Sequence, residues 1–385
     1  MNILVLAARD RRNKNFAGGD LTLTEVSQRL SAMGHSVTYI CSRFRKAPRE
    51  QHLENVRILR LGNVWTTALW MLLFYLRNRQ KFDVVIEEVI GGLRIPYFAP
   101  LYVHKPLVGV WYQRNEMIFR FQYNKITANV LKLLEYSLAR LHRSRLLLCP
   151  SKRTIADISK LGIPLTQFRV YTPGIDSTIL NRSGRALTSR REDLIVWLGK
   201  IRKYKRTEDA MFTMDRLVKM VPSSRMLIVG IPEDQKYFNY LQGLRHRLDL
   251  AEKVHFKFGV TEEEKGDLLL RTKAILVTSP MEGFGNVVSE ANACGAPAVV
   301  TTGIPEDVVS QGLNGFRVNF GDIEGMADAC RNMLTDSPMF DKMSRAAIEC
   351  AQRRNWDQTA ESFLAAVTEA TKSSLARMAP HHLDG

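Results

Sequence analysis

Residues 282–290 read EGFGNVVSE, and their types and spacing suit the binding of a phosphate. Glu282 and Glu290 bracket a glycine-rich turn that opens a helix, NVVSEANACGAP. Just upstream, AILVTSP (274–280) has the short, β-branched, apolar make-up of a buried parallel strand. Strand, glycine turn and helix N-terminus together present backbone N–H groups and about half a positive charge to an anion. Gly283 and Gly285 suit that role, because a Cβ at either is expected to block close approach of the backbone to a phosphate. Glu282, in the loop, falls where a sugar would project. Glu290, about one turn into the helix, falls where a ribose is within reach. On spacing alone, phosphate binding and an ordinary strand–helix turn stand level. The third glycine of a dinucleotide fingerprint and the lysine of a P-loop are both missing.

The elements that must position these residues alternate strand and helix along the chain, which predicts parallel sheets with helices on both faces. At 385 residues the chain is too long for one ordinary core, so two domains are expected. NILVLAA reads as the first strand, too short for a signal peptide, and is followed by the loop RDRRNKNFAGGD. The helix LTLTEVSQRLSAMG comes next, with Leu23, Val26 and Leu30 at helical spacing and Gly34 as its stop. HSVTYIC, FDVVIEE (82–88), PLVGVWY (106–112), RLLLCPS (145–151) and FRVYTPGID (168–176) complete the first domain, residues 1–185. The polar NRSGRALTSRRED (181–193) reads as the linker. LIVWLGK (194–200), RMLIVG (225–230), KVHFKFG (253–259) and AILVTSP build the second domain, residues 186–354. A last helix follows at 355–375, then a frayed tail at 376–385.

VWTTALWMLLFYL (64–76) is apolar at nearly every position, which favours a buried core helix. The other reading is an interfacial anchor, with Trp65 and Trp70 at headgroup depth and Arg77, Arg79 and Lys81 on anionic lipid. No apolar run approaches the length of about 20 residues that spans a bilayer. The five cysteines are scattered without pairing motifs, which reads as free thiols in a reducing cytoplasm. No DxD-like pair after a strand, HExxH or Cys/His cluster suggests a metal, so metal-independent chemistry without a cofactor is expected.

Charge is divided unevenly. Residues 1–185 hold 29 Lys and Arg against 12 Asp and Glu, while the remainder holds 26 against 27. The net charge of +16 therefore belongs to the N-terminal half, which points to an anionic partner there. A membrane surface or a phosphorylated or lipid-linked acceptor fits, and so does a basic face tuned only for solubility. Nucleic acid is not expected, since no RNP, zinc or helix-turn-helix signature accompanies the charge.

The stretch EGFGNVVSEANACGAPAVVTTGIPEDVVSQGLNGFRV resembles the donor-binding signature of retaining GT-B glycosyltransferases, in particular family 4 (glycosyl transferases group 1). GKIRKYKR (199–206) is similar to that family's diphosphate-neutralising segment, with Lys200 where arginine is usual, Lys205 at the lysine and Arg206 in place of a glycine. Lysine supplies the charge but not the bidentate fork of arginine, so Arg202 or Arg206 is a candidate to compensate. Phe16–Asp20 resembles the family's Gly-Gly loop, with Gly18 and Gly19 facing donor phosphates and acceptor. Tyr112-Gln113 stands where a histidine that contacts the donor sugar is frequent. Tyr112 then either hydrogen-bonds a sugar hydroxyl or is a core tyrosine.

The resemblance implies an α/β GT-B fold. Two Rossmann-like doubly wound domains face a cleft that holds the active site, and the C-terminal helix crosses back onto the first. It implies a retaining hexosyltransferase acting on a nucleoside diphosphate sugar of UDP or GDP type and on an acceptor hydroxyl in glycan, glycolipid or glycoconjugate synthesis. Glu282 is assigned to donor-sugar hydroxyls, Glu290 to the ribose, and Lys200 and Lys205 to the leaving diphosphate. Gly19, Gly283, Phe284, Gly285, Asn286 and Val287 surround the donor. A cytoplasmic enzyme, peripheral at the inner face of the membrane, is expected. A non-catalytic or epimerase-type nucleotide-sugar-binding protein is the alternative.

Overall fold

The structure is a computed structural model that describes residues 1–13, 15–89 and 95–378. The chain forms two compact units. One comprises Met1–Phe119, Lys125–Gly174 and the chain from Asn355 onward, the other Arg120–Asn124 and Ile175–Arg354.

The first unit is built on an eight-stranded sheet of β1 (Asn2–Leu6), β2 (Ser36–Cys41), β3 (Glu50–Leu53), β4 (Val56–Arg60), β5 (Val84–Glu88), β6 (Leu107–Val110), β7 (Leu146–Cys149) and β8 (Phe168–Val170). Their order is β3-β4-β2-β1-β5-β6-β7-β8, parallel throughout except for the β3–β4 hairpin. Its helices are α1 (Gly18–Ala32), α2 (Thr67–Asn78), α3 (Glu116–Gln122, whose last residues fall in the second unit), α4 (Lys125–His142) and α5 (Lys152–Ser159). Side chains alternate across the sheet. Ile3, Val5, Val84, Ile86, Val108 and Val110 pack with Leu23, Val26 and Leu30 of α1. Leu4, Leu6, Val85 and Leu107 face the other way, onto Met71 and Tyr75 of α2. A strand covered on both faces must be apolar along its buried length, and residues 3–6, ILVL, are, with polar Asn2 at the exposed end. Gly34, at φ 88°, stops α1, and the His35 N–H closes onto the Leu30 carbonyl at 3.1 Å.

The second unit opens with α6 (Ser177–Leu180) and α7 (Ser183–Ala186). Much of the expected linker is therefore structural. Ile179 and Ala186 are buried with Leu269, Ile275 and Ala291, and the Arg191 guanidinium donates to the carbonyls of Ala186, Leu269, Thr272 and Cys294. Then come β9 (Glu192–Leu198), α8 (Thr207–Met220), β10 (Arg225–Val229), α9 (Gln235–Arg247), β11 (Val254–Lys257) and α10 (Glu262–Arg271). They are followed by β12 (Thr272–Val277), α11 (Asn286–Ala293), β13 (Ala298–Thr301), β14 (Gly315–Val318), α12 (Ile323–Thr335) and α13 (Ser337–Gln352). The sheet order is β11-β10-β9-β12-β13-β14, parallel throughout. This is the doubly wound order that reverses between its first and fourth strands. Ligands bind at that reversal, beyond the carboxyl ends of the strands.

The last helix, α14 (Trp356–Met378), returns to the first unit, where Phe363, Ala366 and Val367 join the α1 side of its core. Of the expected tail, 379–385 lie outside the described residues. The α2 helix departs from the core reading. Thr67, Met71 and Tyr75 are buried, but Trp65 is 59% exposed, Leu69 56%, Leu76 46% and Trp70 41%. It covers the sheet along one stripe and leaves its other apolar face in solvent. Among the described residues no helix is long and apolar enough to cross a membrane.

Candidate functional site

At the reversal point of the second sheet, the loops after β9, β12 and β13 converge. The β9 loop turns at Gly199, whose carbonyl lies only 1.7 Å from where a Cβ on Gly230 would sit, so the loops after β9 and β10 pass back to back. Beyond it, Lys200 pairs with Glu233 at 3.0 Å, and Arg202 shares that carboxylate at 3.6 Å. Arg202 thus stands beside Lys200 on one carboxylate. Arg206 instead pairs with Glu208 and Asp209 at the start of α8.

Lys205 closes a 3-10 turn, Lys203–Lys205. Its carbonyl accepts from the Thr278 hydroxyl at 2.8 Å, and that hydroxyl accepts from the Trp197 indole at 3.1 Å. A side chain of β9 and the first residue beyond β12 thereby fix the lysine. Its ammonium forms an ion pair with Glu282. The two residues assigned to the diphosphate and the donor sugar are brought together.

The loop carrying Glu282 is braced from β13. Thr301 donates its hydroxyl to the Ser279 carbonyl, and the Glu282 N–H meets the Gly303 carbonyl at 3.3 Å. A Cβ on Gly303 would lie 2.0 Å from the Pro280 carbonyl oxygen, so only glycine lets the strands' loops approach this closely. Gly303 lies in the TTGIP stretch of the matched signature, but nothing in the pattern alone assigned it this bracing role.

Gly285 caps α11 at φ 103°, ψ 55°, a region where residues with a Cβ are strained. A Cβ there would point inward, with ordinary contacts of 3.6–3.8 Å to Ile304, Val288 and Val308. The expectation that it would block the phosphate is therefore corrected. Glycine is required by backbone conformation, which sets the direction of the first N–H groups of the helix. Val288 is the first α11 residue whose N–H reaches the Gly285 carbonyl, at 2.9 Å, so the N–H groups of Asn286 and Val287 precede the intrahelical ladder. Phe284, expected around the donor, is buried in the core, with the Arg354 guanidinium 5.0 Å over its ring. Arg354 also reaches Ser289 of α11 and the Asp307 carbonyl, so it anchors the whole turn.

Glu290 meets Lys265 of α10 at 3.0 Å, and Lys265 also pairs with Glu262 at 2.6 Å. Burial pushes the Glu290 carboxyl above its ordinary value, against the pull of Lys265. Burial opposes the Lys265 charge, yet Glu290 and Glu262 hold its ammonium above the ordinary lysine value. Neither Lys265 nor Arg354 carried a sequence signal, since each meets the site only through tertiary packing.

At the carboxyl end of the first sheet the structure brings Gly18, Gly19, Tyr112 and Gln113 into one neighbourhood. Asp20 takes the Ala17 N–H at 2.8 Å and Arg9 at 3.2 Å, which fixes the start of α1. The Tyr112 ring lies 2.5 Å from where a Gly19 Cβ would be, and its hydroxyl donates to the Gly19 carbonyl at 2.9 Å. Gly19 is thus small enough to seat Tyr112, whose ring packs partly buried against the core of the first unit. Tyr112→Phe is expected to lower unfolding free energy by about 0.5–1.5 kcal/mol in urea titration. Nucleotide affinity in the second unit is expected to stay unchanged. A stability equal to wild type would dismiss the brace.

Two family models match the chain, Glycosyltransferase Family 4 over residues 16–178 and Glycosyl transferases group 1 over residues 184–350. A D-inositol 3-phosphate glycosyltransferase of Kribbella flavida is 27% identical over 232 residues, 57% of this chain and 55% of the relative. The chain spans about half the length of the curated relatives of that kind. An N-acetyl-alpha-D-glucosaminyl L-malate synthase of Bacillus anthracis is 23% identical over 358 residues, 87% of this chain and 89% of the relative. Sucrose-phosphate synthase from Thermosynechococcus elongatus has a TM-score of 0.78 at 15% identity, over 97% of this chain and 99% of that one. At that identity the likeness concerns the fold alone, which is the GT-B type with two Rossmann-like domains.

Proposed function

Because the chain belongs to the group 1, family 4 glycosyltransferases, we propose that it moves a sugar from a nucleoside diphosphate sugar to an acceptor hydroxyl with retention at the anomeric carbon. The observation that carries this reading is the Lys205–Glu282 pair beside the Gly285 turn of α11, at the reversal point of the second sheet. As the glycosidic bond breaks, negative charge grows on the diphosphate. Lys205, Lys200 and the first N–H groups of α11 are fixed in place to meet it. The leaving phosphate oxygen takes the acceptor proton on the same face, so Glu282 is free to hold donor-sugar hydroxyls and Glu290 the ribose. The sugar nucleotide is of UDP or GDP type.

The acceptor is anionic. The positive charge of residues 1–185 supports this, as do the names of the two curated relatives, one specifying inositol 3-phosphate and the other malate. An acceptor presented at an acidic membrane surface satisfies the same charge, with the enzyme peripheral at the inner face.

A thermal-shift screen of nucleoside diphosphates and their sugars tests the donor site, since a ligand at 100 times its Kd adds about 2.7 kcal/mol of stability. Silence across UDP, GDP and their sugars would remove the reading. Glu290→Ala is expected to weaken the bare nucleoside diphosphate, by the roughly 1.5–3 kcal/mol of a hydrogen bond to a charged group. Glu282→Ala is expected to spare that affinity and lower turnover. Equal loss of affinity in both would reverse the assignments. The pH dependence has a definite sign. A carboxyl raised by burial keeps its proton to higher pH, whereas ribose hydroxyls donate best to the ionised form. Nucleotide affinity therefore rises as pH climbs above the ordinary carboxyl value of 4.5, and Glu290→Gln flattens that rise.

A further inference from the structure

The first unit carries an apolar surface that sugar transfer does not use. Exposed on α2 and the turn before it are Trp65, Leu69, Trp70 and Leu76. On α4, Ile126 is 80% exposed, Leu133 69% and Val130 61%, followed by Tyr136 at 39%. Spacings of four, three and three residues place these four on one stripe of the helix.

Both helices lie on the same face of the sheet. Val85 pairs with Leu107 and Gly109 with Leu147, and side chains in register point the same way. Leu107 packs with α2 residues and Leu147 with Leu138 and Ala139 of α4. The 3-10 turn Ala99–Leu101 shares that face, burying Ala99 with Met71 and leaving Leu101 64% exposed. The outward sides of α2 and α4 therefore look in one direction, opposite to α1 and α14.

We propose that this two-helix face docks on the surface of a bilayer containing acidic phospholipid. Charge selects that occupant. The sequence of α2 contains no carboxylate, and the one acid of α4, Glu135, is buried and accepts from Asn115. The basic residues are exposed beside the apolar stripes: Arg77, Arg79 and Lys81 at the end of α2, Lys125 and Arg140 on α4. Exposed indoles and aliphatic side chains edged by Lys and Arg suit the headgroup boundary of an acidic membrane. A second copy of the chain fits less well, because a self-complementary contact would oppose these basic edges to themselves. What the docking serves rests on the proposed transfer, bringing the enzyme to an acceptor at the membrane. The docking itself is measured without it.

The test is co-sedimentation of the full chain with phosphatidylcholine vesicles, with and without phosphatidylglycerol. Two variants accompany it, Val130→Glu with Leu133→Glu, and Arg77→Glu with Arg79→Glu and Lys81→Glu. All five positions are exposed, and circular dichroism and the melting temperature verify folding. Binding to acidic vesicles only is expected, reduced about ten-fold or more in each variant, with the nucleoside diphosphate thermal shift retained. Equal binding to both vesicles, none to either, or undiminished binding in the Val130/Leu133 variant would overturn the proposal. So would a wild-type dimer, without vesicles, that the variant dissolves. Vesicle binding without any nucleotide shift would instead count against the proposed transfer alone.

Discussion

Lys205→Ala is expected to lower kcat about 10²–10³-fold, the loss that follows removal of one fixed charge-stabilising donor from a leaving group. The lysine is held at both ends. Its carbonyl is fixed by Thr278 and through it by the Trp197 indole, and its ammonium rests on Glu282. A charge held this way needs little reorganisation as the diphosphate departs. Lys200→Ala is expected to cost less, because Arg202 sits on the same Glu233 carboxylate and can take over the charge. Lys205→Arg should recover part of the rate, having the charge but a different reach. Initial rates with the donor found by thermal shift, alongside nucleotide Kd values, measure all three. Wild-type kcat in Lys205→Ala would end the assignment, and equal losses at 200 and 205 would end the ranking.

The second unit was readable because its strands are covered on both faces and so appear as unbroken apolar runs, LIVWL and AILV among them. The candidate site was legible where its residues lie within one loop and the helix after it, from Glu282 to Glu290. Partners supplied from elsewhere in the chain were not. Lys265 stands in the segment TEEEK, whose charges look like any solvated first turn of a helix, yet it pairs with Glu290. Arg354 follows a helix far beyond the motif and still seats Phe284 and Ser289. The polar stretch 181–193 looked like a linker because composition does not reveal that four carbonyls wait for the Arg191 guanidinium. The β3–β4 hairpin escaped notice for a local reason. Its turn puts Glu54 at φ 53°, where glycine or asparagine would have been the visible signal.

The α2 helix shows a different limit. An all-round apolar helix is buried in most folds because solvent penalises each exposed face. That rule assumes water as the only surroundings. Met71 and Tyr75 satisfy it, whereas Leu69 and Leu76 do not. Composition cannot separate a core from a surface awaiting a partner. The outward stripe of α4 was equally hidden, since its inward residues Leu131 and Leu138 share the helix with Val130 and Leu133.

Gly285 offers the sharpest separation of backbone from side-chain causes. Alanine there would touch Ile304, Val288 and Val308 only at ordinary distances, so volume does not forbid it. The φ of 103° does, at a cost of about 1–3 kcal/mol. Valine adds γ carbons against the same packed side chains, where overpacking costs about 1–3 kcal/mol more. Resetting the turn would relieve both, and would swing the N–H groups of Asn286 and Val287 off the proposed phosphate position. Nucleoside diphosphate affinity should fall about ten-fold in Gly285→Ala and about a hundred-fold or more in Gly285→Val, each ten-fold step being about 1.4 kcal/mol. Gly285→Asn should bind better than either, because asparagine is the side chain most at ease with positive φ. Melting temperatures should fall in the same order, since the strain is carried by the free protein. Titration calorimetry with thermal melts resolves the series. If Gly285→Asn bound as poorly as Gly285→Val while melting like wild type, the side chain would be occupying the anion's place, and the inward Cβ direction would not be what governs this position.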